Sequence, residues 1–217
     1  MLHLGTLLAV VVCFWADIWG IIKGIVSIAK KKKENREMVR LFLWIILATI
    51  PTGLLGILLK DWFESFFSKP KMVGIMFIIT GLVLWLTRWA KKDGKSLGRM
   101  GWLDSILIGI AQGLAIIPGI SRSGATISTG LFCGLNRELS ARFSFLLSIP
   151  AILGATLLEM DKMGSGGPLW MTLIGSAIAF GIGIFALNLL IKIIKMGKIS
   201  SFSYYCYGVG VLMIIFS

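Results

Sequence analysis

Long apolar runs alternate with short polar segments along this chain, and within each run the apolar positions are continuous rather than alternating. Continuous runs are typical of membrane helices, whereas the strands of a membrane β-barrel alternate apolar and polar residues. A helix of about 20 residues crosses a hydrocarbon core of roughly 30 Å. The pattern therefore predicts about six transmembrane helices, at residues 2–22, 41–59, 72–89, 143–159, 168–191 and 203–217.

A different pattern separates the third and fourth runs. Residues 103–117 and 125–135 are two apolar pieces, each shorter than a span, and they are joined by a segment that contains PGISRSG. Proline and glycine interrupt helices, so the two pieces fit a re-entrant helix hairpin over about residues 103–135, with its tip inside the membrane. The alternative is two short complete spans, which would also leave the segments before and after this region on the same side of the membrane. We favour the hairpin.

Basic residues concentrate in three of the connecting segments. Residues 23–40 carry seven Lys or Arg, residues 88–99 carry five, and residues 192–198 carry three. Because Lys and Arg accumulate in cytoplasmic loops, these segments are predicted to be cytoplasmic, and the nearly balanced segments 60–71 and 159–167 to be external. Both ends of the hairpin then lie on the cytoplasmic side.

Given the predicted cytoplasmic and external locations of the connecting segments, the three spans after the hairpin run in the opposite direction to the three before it. This is the arrangement of an inverted repeat within a single integral membrane domain, residues 1–217. Residues 101–217 form a second repeat with its hairpin, and residues 1–100 form the remainder of a first repeat whose hairpin is missing. The predicted fold class is an all-α polytopic membrane protein.

The composition supports a membrane protein and excludes most soluble classes. Apolar residues make up 57% of the 217 residues, charged residues make up 15%, and the mean hydropathy is +0.90. The net charge of +12 comes from loop residues that suit anionic lipid headgroups, so no nucleic-acid partner is predicted. The first twenty residues lack the basic start and cleavage site of a signal peptide and are predicted to span the membrane. Three cysteines lie in apolar runs without a CxxC motif, so we predict packing roles and neither a disulfide nor a metal site: Cys13, Cys133 and Cys206.

Arg122 is the residue of chemical interest, because it lies between two serines in the predicted hairpin and no carboxylate occurs between Asp104 and Glu138. An arginine inside a membrane costs roughly 2.5 to 3.5 kcal/mol on insertion scales and normally pairs with another group. A guanidinium binds phosphate through two parallel hydrogen bonds and keeps its charge in apolar surroundings. Arg122 is therefore predicted to bind an anion; the alternative is that it extends its charge to the membrane surface or holds the hairpin by hydrogen bonds to carbonyl groups.

The residues next to Arg122 are also suited to binding an anion. Ser121 and Ser123 offer hydroxyl donors, and Gly119 and Gly124 let the backbone approach a ligand closely. The helix that begins near Ala125 would direct its free N–H groups and its positive dipole end at the same place. The segment does not match the G-x-S-x-G of a nucleophile elbow. His3, the single histidine of the chain, is interpreted as a polar residue at a helix end.

Two long strings resemble a known family. QGLAIIPGISRSGATIS (residues 112–128) and NRELSARFSFLLSIPAILGA (residues 136–155) are similar to the second conserved half of the undecaprenyl-diphosphate phosphatases, bacterial membrane enzymes linked to bacitracin resistance. LHLGTLLAVVV (residues 2–12) is similar to the helix that follows the first conserved half. The resemblance therefore extends over essentially the whole chain.

The resemblance implies an enzyme that removes the terminal phosphate of undecaprenyl diphosphate and recycles the carrier for peptidoglycan synthesis. Arg122 would be the catalytic residue that binds the diphosphate, and Ser121, Ser123, Gly124 and Thr126 would complete the phosphate site. A divalent cation, Mg²⁺ or Ca²⁺, is an expected cofactor. The expected partners are the polyprenyl diphosphate substrate, membrane lipids and a second copy in a homodimer, and the expected location is the bacterial cell (inner) membrane.

One part of the family pattern is absent from this chain. The family carries a first motif of the type E-x-x-x-E-F-x-P-x-S-S-x-G-H, whose glutamates, serine and histidine are implied to supply the acid–base group or nucleophile and part of a metal site. His3 belongs to the later HLGT stretch and does not match that histidine. The expectation is a truncated or a degenerate, inactive member, and the alternative function is a transporter or flippase of polyprenyl phosphates.

Overall fold

The computed structural model describes residues 2–29, 35–91, 93–159 and 169–217, and in these residues the secondary structure is helical apart from turns and one isolated bridge. Within these residues, four helices are long and apolar enough to cross a membrane by themselves: Arg36–Leu58, Pro70–Trp89, Arg137–Thr156 and Ile174–Lys195. The predicted all-α polytopic membrane fold is therefore confirmed. The α-helices of the described residues are α1 (Leu2–Cys13), α2 (Trp15–Ala29), α3 (Arg36–Leu58), α4 (Lys60–Phe67), α5 (Pro70–Leu86), α6 (Trp102–Leu114), α7 (Arg122–Phe132), α8 (Arg137–Glu159), α9 (Leu169–Lys195) and α10 (Phe202–Ile215).

The first predicted span is the largest difference between the sequence pattern and the structure. Instead of one straight helix over residues 2–22, α1 and α2 meet at Phe14 with a bend of 72°. Phe14 is buried, with its ring centroid 5.6 Å from that of Phe145 on α8. Asp17, in the first turn of α2, forms an ion pair with Arg142 of α8. Contacts with α8 thus hold the residue at the bend and the start of α2.

The last predicted span is also shorter than expected, because α10 has 14 residues. Counting the bent pair as one span gives up to five spans in the described residues, against about six predicted. Three predicted features fall outside the described residues: Lys30–Lys33, most of the external segment 159–167, and the side chain of His3.

The two short helices of the predicted hairpin are present, although the second begins at Arg122 and not near Ala125. Helices α6 and α7 have 13 and 11 residues, and each is too short to cross a membrane alone. At its base, the Lys95 N–H donates to the Gly134 carbonyl at 2.6 Å, and the Asn136 N–H donates to the Lys95 carbonyl at 3.0 Å. The segment before α6 is thereby joined to the turn after α7, so both ends of the hairpin lie on one side.

Small residues let the hairpin pack closely against α3. Helix α6 of the hairpin runs in the same direction as α3. Ser105 contacts Trp44, Gly109 contacts Ala48, and Gly113 contacts Leu55. Thr52 of α3 donates its hydroxyl hydrogen to the Gly109 carbonyl at 2.8 Å. Small residues at such positions allow helices to approach within backbone contact, which is a main source of helix association in lipid.

Gly109→Ala is expected to lower the melting temperature of the purified protein in detergent. A Cβ at residue 109 would overlap the Ala48 carbonyl oxygen and lie 2.8 Å from Cγ of Pro51, so α3 and α6 would have to separate. Over-packing of this kind typically costs about 1 to 3 kcal/mol. Gly53→Ala is the matched control, because a Cβ there meets no atom within 4 Å. Equal melting temperatures for the two variants would contradict the close packing.

Candidate functional site

The predicted phosphate site lies where α6 ends and α7 begins. After α6 the backbone turns through residues 115–121, and it passes through Gly119 at φ +95°, a conformation that favours glycine. Ser121 then caps α7, since its Oγ accepts the Gly124 N–H at 3.2 Å. The sequence PGISRSG therefore forms a turn, a serine cap and the first turn of a helix.

Two backbone donors at the start of α7 have no acceptor among the described residues. Ala125 N–H makes the first intrahelical bond, to the Ser121 carbonyl at 2.8 Å. Arg122 and Ser123 are the first two residues of α7, where an N–H has no acceptor within its own helix. Free N–H groups and the positive end of the helix dipole make such an N-terminus favourable for phosphate.

Arg122 has no protein partner among the described residues: its guanidinium makes neither a hydrogen bond to a carbonyl nor an ion pair. The side chain is partly buried rather than extended into solvent. A structural role, in which Arg122 would hold the hairpin together by hydrogen bonds to carbonyl groups, has no supporting contact among the described residues. The guanidinium is instead available to an anion.

The other predicted site residues divide into two groups. Ser121 and Ser123 are partly exposed beside Arg122, and the Ser121 hydroxyl hydrogen stays available although its oxygen caps the helix. Gly124 is buried, and its N–H is already used by the cap. Thr126 is 1% exposed, and its hydroxyl bonds the Arg122 carbonyl at 2.9 Å and the Ser144 hydroxyl of α8 at 2.5 Å. In this structure Gly124 and Thr126 support the first turn of α7 from inside.

Helix α5 holds the loop from one side. Thr80 donates its hydroxyl hydrogen to the Gly119 carbonyl at 3.0 Å and accepts the Ser121 N–H at 3.3 Å. The loop backbone lies so close to α5 that a Cβ on Gly119 would overlap the Val73 carbonyl oxygen. Since Thr80 lies near the middle of the span Pro70–Trp89, the start of α7 lies at the mid-depth of that span.

Helix α4 covers the loop with apolar side chains. Phe63 and Phe66 of α4 are buried in one cluster with Ile117, and Ile120 packs against the same cluster. The amphipathic α4 thus seals one side of the turn.

Three carboxylates of the described residues, Asp17, Asp104 and Glu138, form ion pairs with basic residues other than Arg122. Asp104 lies 3.3 Å from Lys95 Nζ and accepts the Gly101 N–H at 2.9 Å, while Asp17 is paired with Arg142. No group of three or more His, Cys, Asp or Glu side chains that could hold a metal ion occurs in the described part of the chain. The residues around Arg122 offer hydroxyl and amide donors, which suit an anion and do not fit a divalent cation.

Sequence reasoning missed the residues that hold the loop from α5. Thr80 lies in the string FIITGLVLW, and the only sequence signal for its role is a hydroxyl residue inside a long apolar run. Gln112 was also missed: it is 2% exposed, donates to the Leu147 carbonyl at 3.3 Å and leaves its own Oε1 without a partner in the described residues. A buried polar side chain in an apolar helix was the available signal for both.

Comparison with known proteins shows the family of this chain. The family model described as "Bacitracin resistance protein BacA" matches residues 1–212. A protein named undecaprenyl-diphosphatase from Alkaliphilus metalliredigens is 42% identical over 227 aligned positions, which cover 100% of this chain and 82% of that protein. One of the same name from Carboxydothermus hydrogenoformans is 43% identical over 99% of this chain and 80% of its own length. A third, from Methanothermobacter thermautotrophicus, is 44% identical over 78% of this chain and 97% of its own length. With its SRSG hairpin and this match over nearly its whole length, the chain belongs to the BacA bacitracin resistance protein family.

Proposed function

We propose that this protein is an undecaprenyl-diphosphatase, which hydrolyses undecaprenyl diphosphate to undecaprenyl phosphate and inorganic phosphate. The reaction regenerates the lipid carrier for peptidoglycan synthesis, and the expected consequence is resistance to bacitracin. The observation that carries the proposal is the Arg122 guanidinium, which has no partner among the described residues and lies at the N-terminus of α7, in a helix hairpin of a membrane protein. We place the protein in the bacterial cell (inner) membrane.

The reaction breaks the bond between the terminal phosphorus and the bridging oxygen of the diphosphate. Negative charge then grows on the bridging oxygen, which leaves with the lipid phosphate, and the attacking oxygen approaches from the opposite side. Donors that are already in place stabilise this charge without reorganising during the reaction. Catalysis at this site is therefore a matter of holding the diphosphate among fixed donors.

The first turn of α7 supplies those donors. The Arg122 guanidinium takes two oxygens of the diphosphate in a bidentate contact. The hydroxyls of Ser121 and Ser123 and the free N–H groups of Arg122 and Ser123 complete the contacts. Gly124 and Thr126 act behind this turn, the first by donating its N–H to the cap and the second by bonding α8.

The divalent cation stays a prediction that comes from the resemblance alone. Because the donors around Arg122 do not fit Mg²⁺ or Ca²⁺, no step of the mechanism is assigned to a metal. The homodimer likewise stays a prediction. The lipid partner is expected to place its headgroup at the hairpin and its apolar chain in the bilayer.

The proposal predicts release of inorganic phosphate when the purified chain is incubated with undecaprenyl diphosphate in detergent. The matched substrate control is undecaprenyl phosphate, which lacks the anhydride bond and should release no phosphate. The same protein in vesicles should convert labelled substrate without carrying intact lipid phosphate across the bilayer. Movement of the labelled lipid without phosphate release would contradict the phosphatase and support the transporter or flippase instead.

A further inference from the structure

Thr80 uses its hydroxyl differently from Thr49 and Thr156, which also lie in apolar helices. Thr49 and Thr156 each donate to the carbonyl four residues earlier in their own helix, at 2.8 Å. This is the usual bond of a threonine inside a helix. Thr80 instead donates to Gly119 in the hairpin loop and accepts from Ser121, 39 and 41 residues away along the chain. Its hydroxyl is thus committed to the loop.

The two bonds join both sides of the turn that precedes α7. Gly119 contributes its carbonyl and Ser121 contributes its N–H, so one hydroxyl fixes the orientation of both peptide groups around Ile120. Thr80 is 4% exposed, which means that water would have poor access to these groups if the hydroxyl were removed. A buried carbonyl and a buried N–H left without partners destabilise the arrangement that contains them.

The bond to Ser121 also decides which amides face a ligand. With the Ser121 N–H turned to Thr80 and the Gly124 N–H turned to the cap, the Arg122 and Ser123 amides are the pair left free. The same bond sets the direction in which the chain enters α7 and hence the position of the Arg122 side chain. Small errors in such positions cost catalysis heavily, about 100-fold for a displacement of about 1 Å.

We propose that Thr80 is a positioning residue for phosphoryl transfer, which holds the Gly119–Ser121 turn so that the donors of Arg122 and Ser123 meet the diphosphate. This inference rests on the proposed phosphatase function. Thr80 itself does not touch the substrate and acts through the loop.

Thr80→Val tests the proposal, because valine keeps the shape of threonine and lacks the hydroxyl. The kcat for phosphate release from undecaprenyl diphosphate is expected to fall at least about tenfold, with a smaller change in KM, since the loss lies in the placement of donors in the transition state. Thr80→Ser restores the hydroxyl and is expected to recover most of the kcat. Hydrogen exchange of the peptide containing Ser121 should be faster in Thr80→Val than in Thr80→Ser.

Thr52→Val is the matched control for the loss of a threonine hydrogen bond between helices away from the loop. Thr52 is 8% exposed, and its hydroxyl also bonds another helix segment, the Gly109 carbonyl at 2.8 Å, but it does not contact the loop. This variant should melt at a lower temperature while keeping the wild-type kcat per folded molecule.

Three results would overturn the role of Thr80: a wild-type kcat in Thr80→Val, no recovery in Thr80→Ser, or an equal loss of kcat in Thr52→Val. A folded wild-type protein that releases no phosphate would instead overturn the proposed function. In that case hydrogen exchange at Ser121 still decides whether Thr80 holds the loop, and equal exchange in wild type and Thr80→Val would reject it.

Discussion

Arg122→Lys is expected to lower kcat/KM for undecaprenyl diphosphate by at least about 100-fold, and Arg122→Ala by about 1,000-fold. Lysine keeps a positive charge but cannot make the two parallel hydrogen bonds of a guanidinium. Alanine also removes the charge that faces the charge growing on the leaving group. The loss in the lysine variant therefore measures the geometry of the contact, and the further loss in alanine measures the charge.

The same variants should leave the fold almost unchanged. The Arg122 guanidinium has no hydrogen-bond or ion-pair partner in the described residues, so its removal breaks no contact that holds the hairpin. If Arg122 served to hold the hairpin, Arg122→Ala would lower the melting temperature in detergent along with the activity. Loss of activity at an unchanged melting temperature separates binding of an anion from a structural role.

Arg88→Lys is the matched control for Arg122→Lys. Arg88 is exposed, and its guanidinium carbon lies 4.7 Å from the ring centroid of Trp85. An arginine over an aromatic ring at the surface contributes about 0.5 to 1 kcal/mol, and lysine retains part of it. Full activity in Arg88→Lys is expected. An Arg122→Lys variant as active as the Arg88→Lys control would show that the bidentate contact is not used.

The hairpin could be predicted from the sequence because its signals are local. Two apolar pieces shorter than a span, separated by Pro118 and Gly119, allow few arrangements in which both ends face the same side. Arg122 also stood out locally, since no carboxylate lies near it in the chain. In the structure its guanidinium also has no partner among the described residues, although the sequence alone could not exclude a partner distant along the chain.

The bend between α1 and α2 could not be predicted in this way. The apolar run from residue 2 to residue 22 shows no proline and reads as one helix. The bend depends on Phe14 meeting Phe145 and on Asp17 pairing with Arg142, and both partners lie on α8, more than 100 residues away. Hydropathy records the apolar character of a residue and carries no information about such partners.

The roles of Gly124 and Thr126 could be read only in part for the same reason. From the sequence, both follow the SRS string and suit a phosphate site. In the structure, one helical turn separates the partly exposed Ser121–Ser123 segment from Thr126, whose hydroxyl meets Ser144 of α8. Which face of a short helix meets its neighbour depends on packing between helices, and the interval between residues does not determine it.

Gly119→Ala is expected to reduce kcat/KM by about 100-fold, because the loop can no longer lie against α5. Two effects oppose the alanine. The backbone at φ +95° disfavours any side chain by about 1 to 2 kcal/mol, and the new Cβ would overlap the Val73 carbonyl oxygen and lie 2.8 Å from Cβ of Met76. The overlap with a backbone atom cannot be relieved by rotating a side chain, so the loop itself must move away from Thr80.

Gly134→Ala separates the two effects, because Gly134 shares the backbone conformation without the close contact. Its φ is +82°, and a Cβ there would lie 3.8 Å from the nearest atom, Cε of Lys95. Both variants should melt at lower temperatures than the wild type, but Gly134→Ala should keep its kcat/KM per folded molecule. Equal losses of activity would mean that backbone strain in the hairpin matters and that the contact with α5 does not. A loss confined to Gly119→Ala would mean that the site works only while the turn before Arg122 lies directly on α5. Helix α5 would then be part of the phosphate site, although none of its side chains is expected to touch the phosphate.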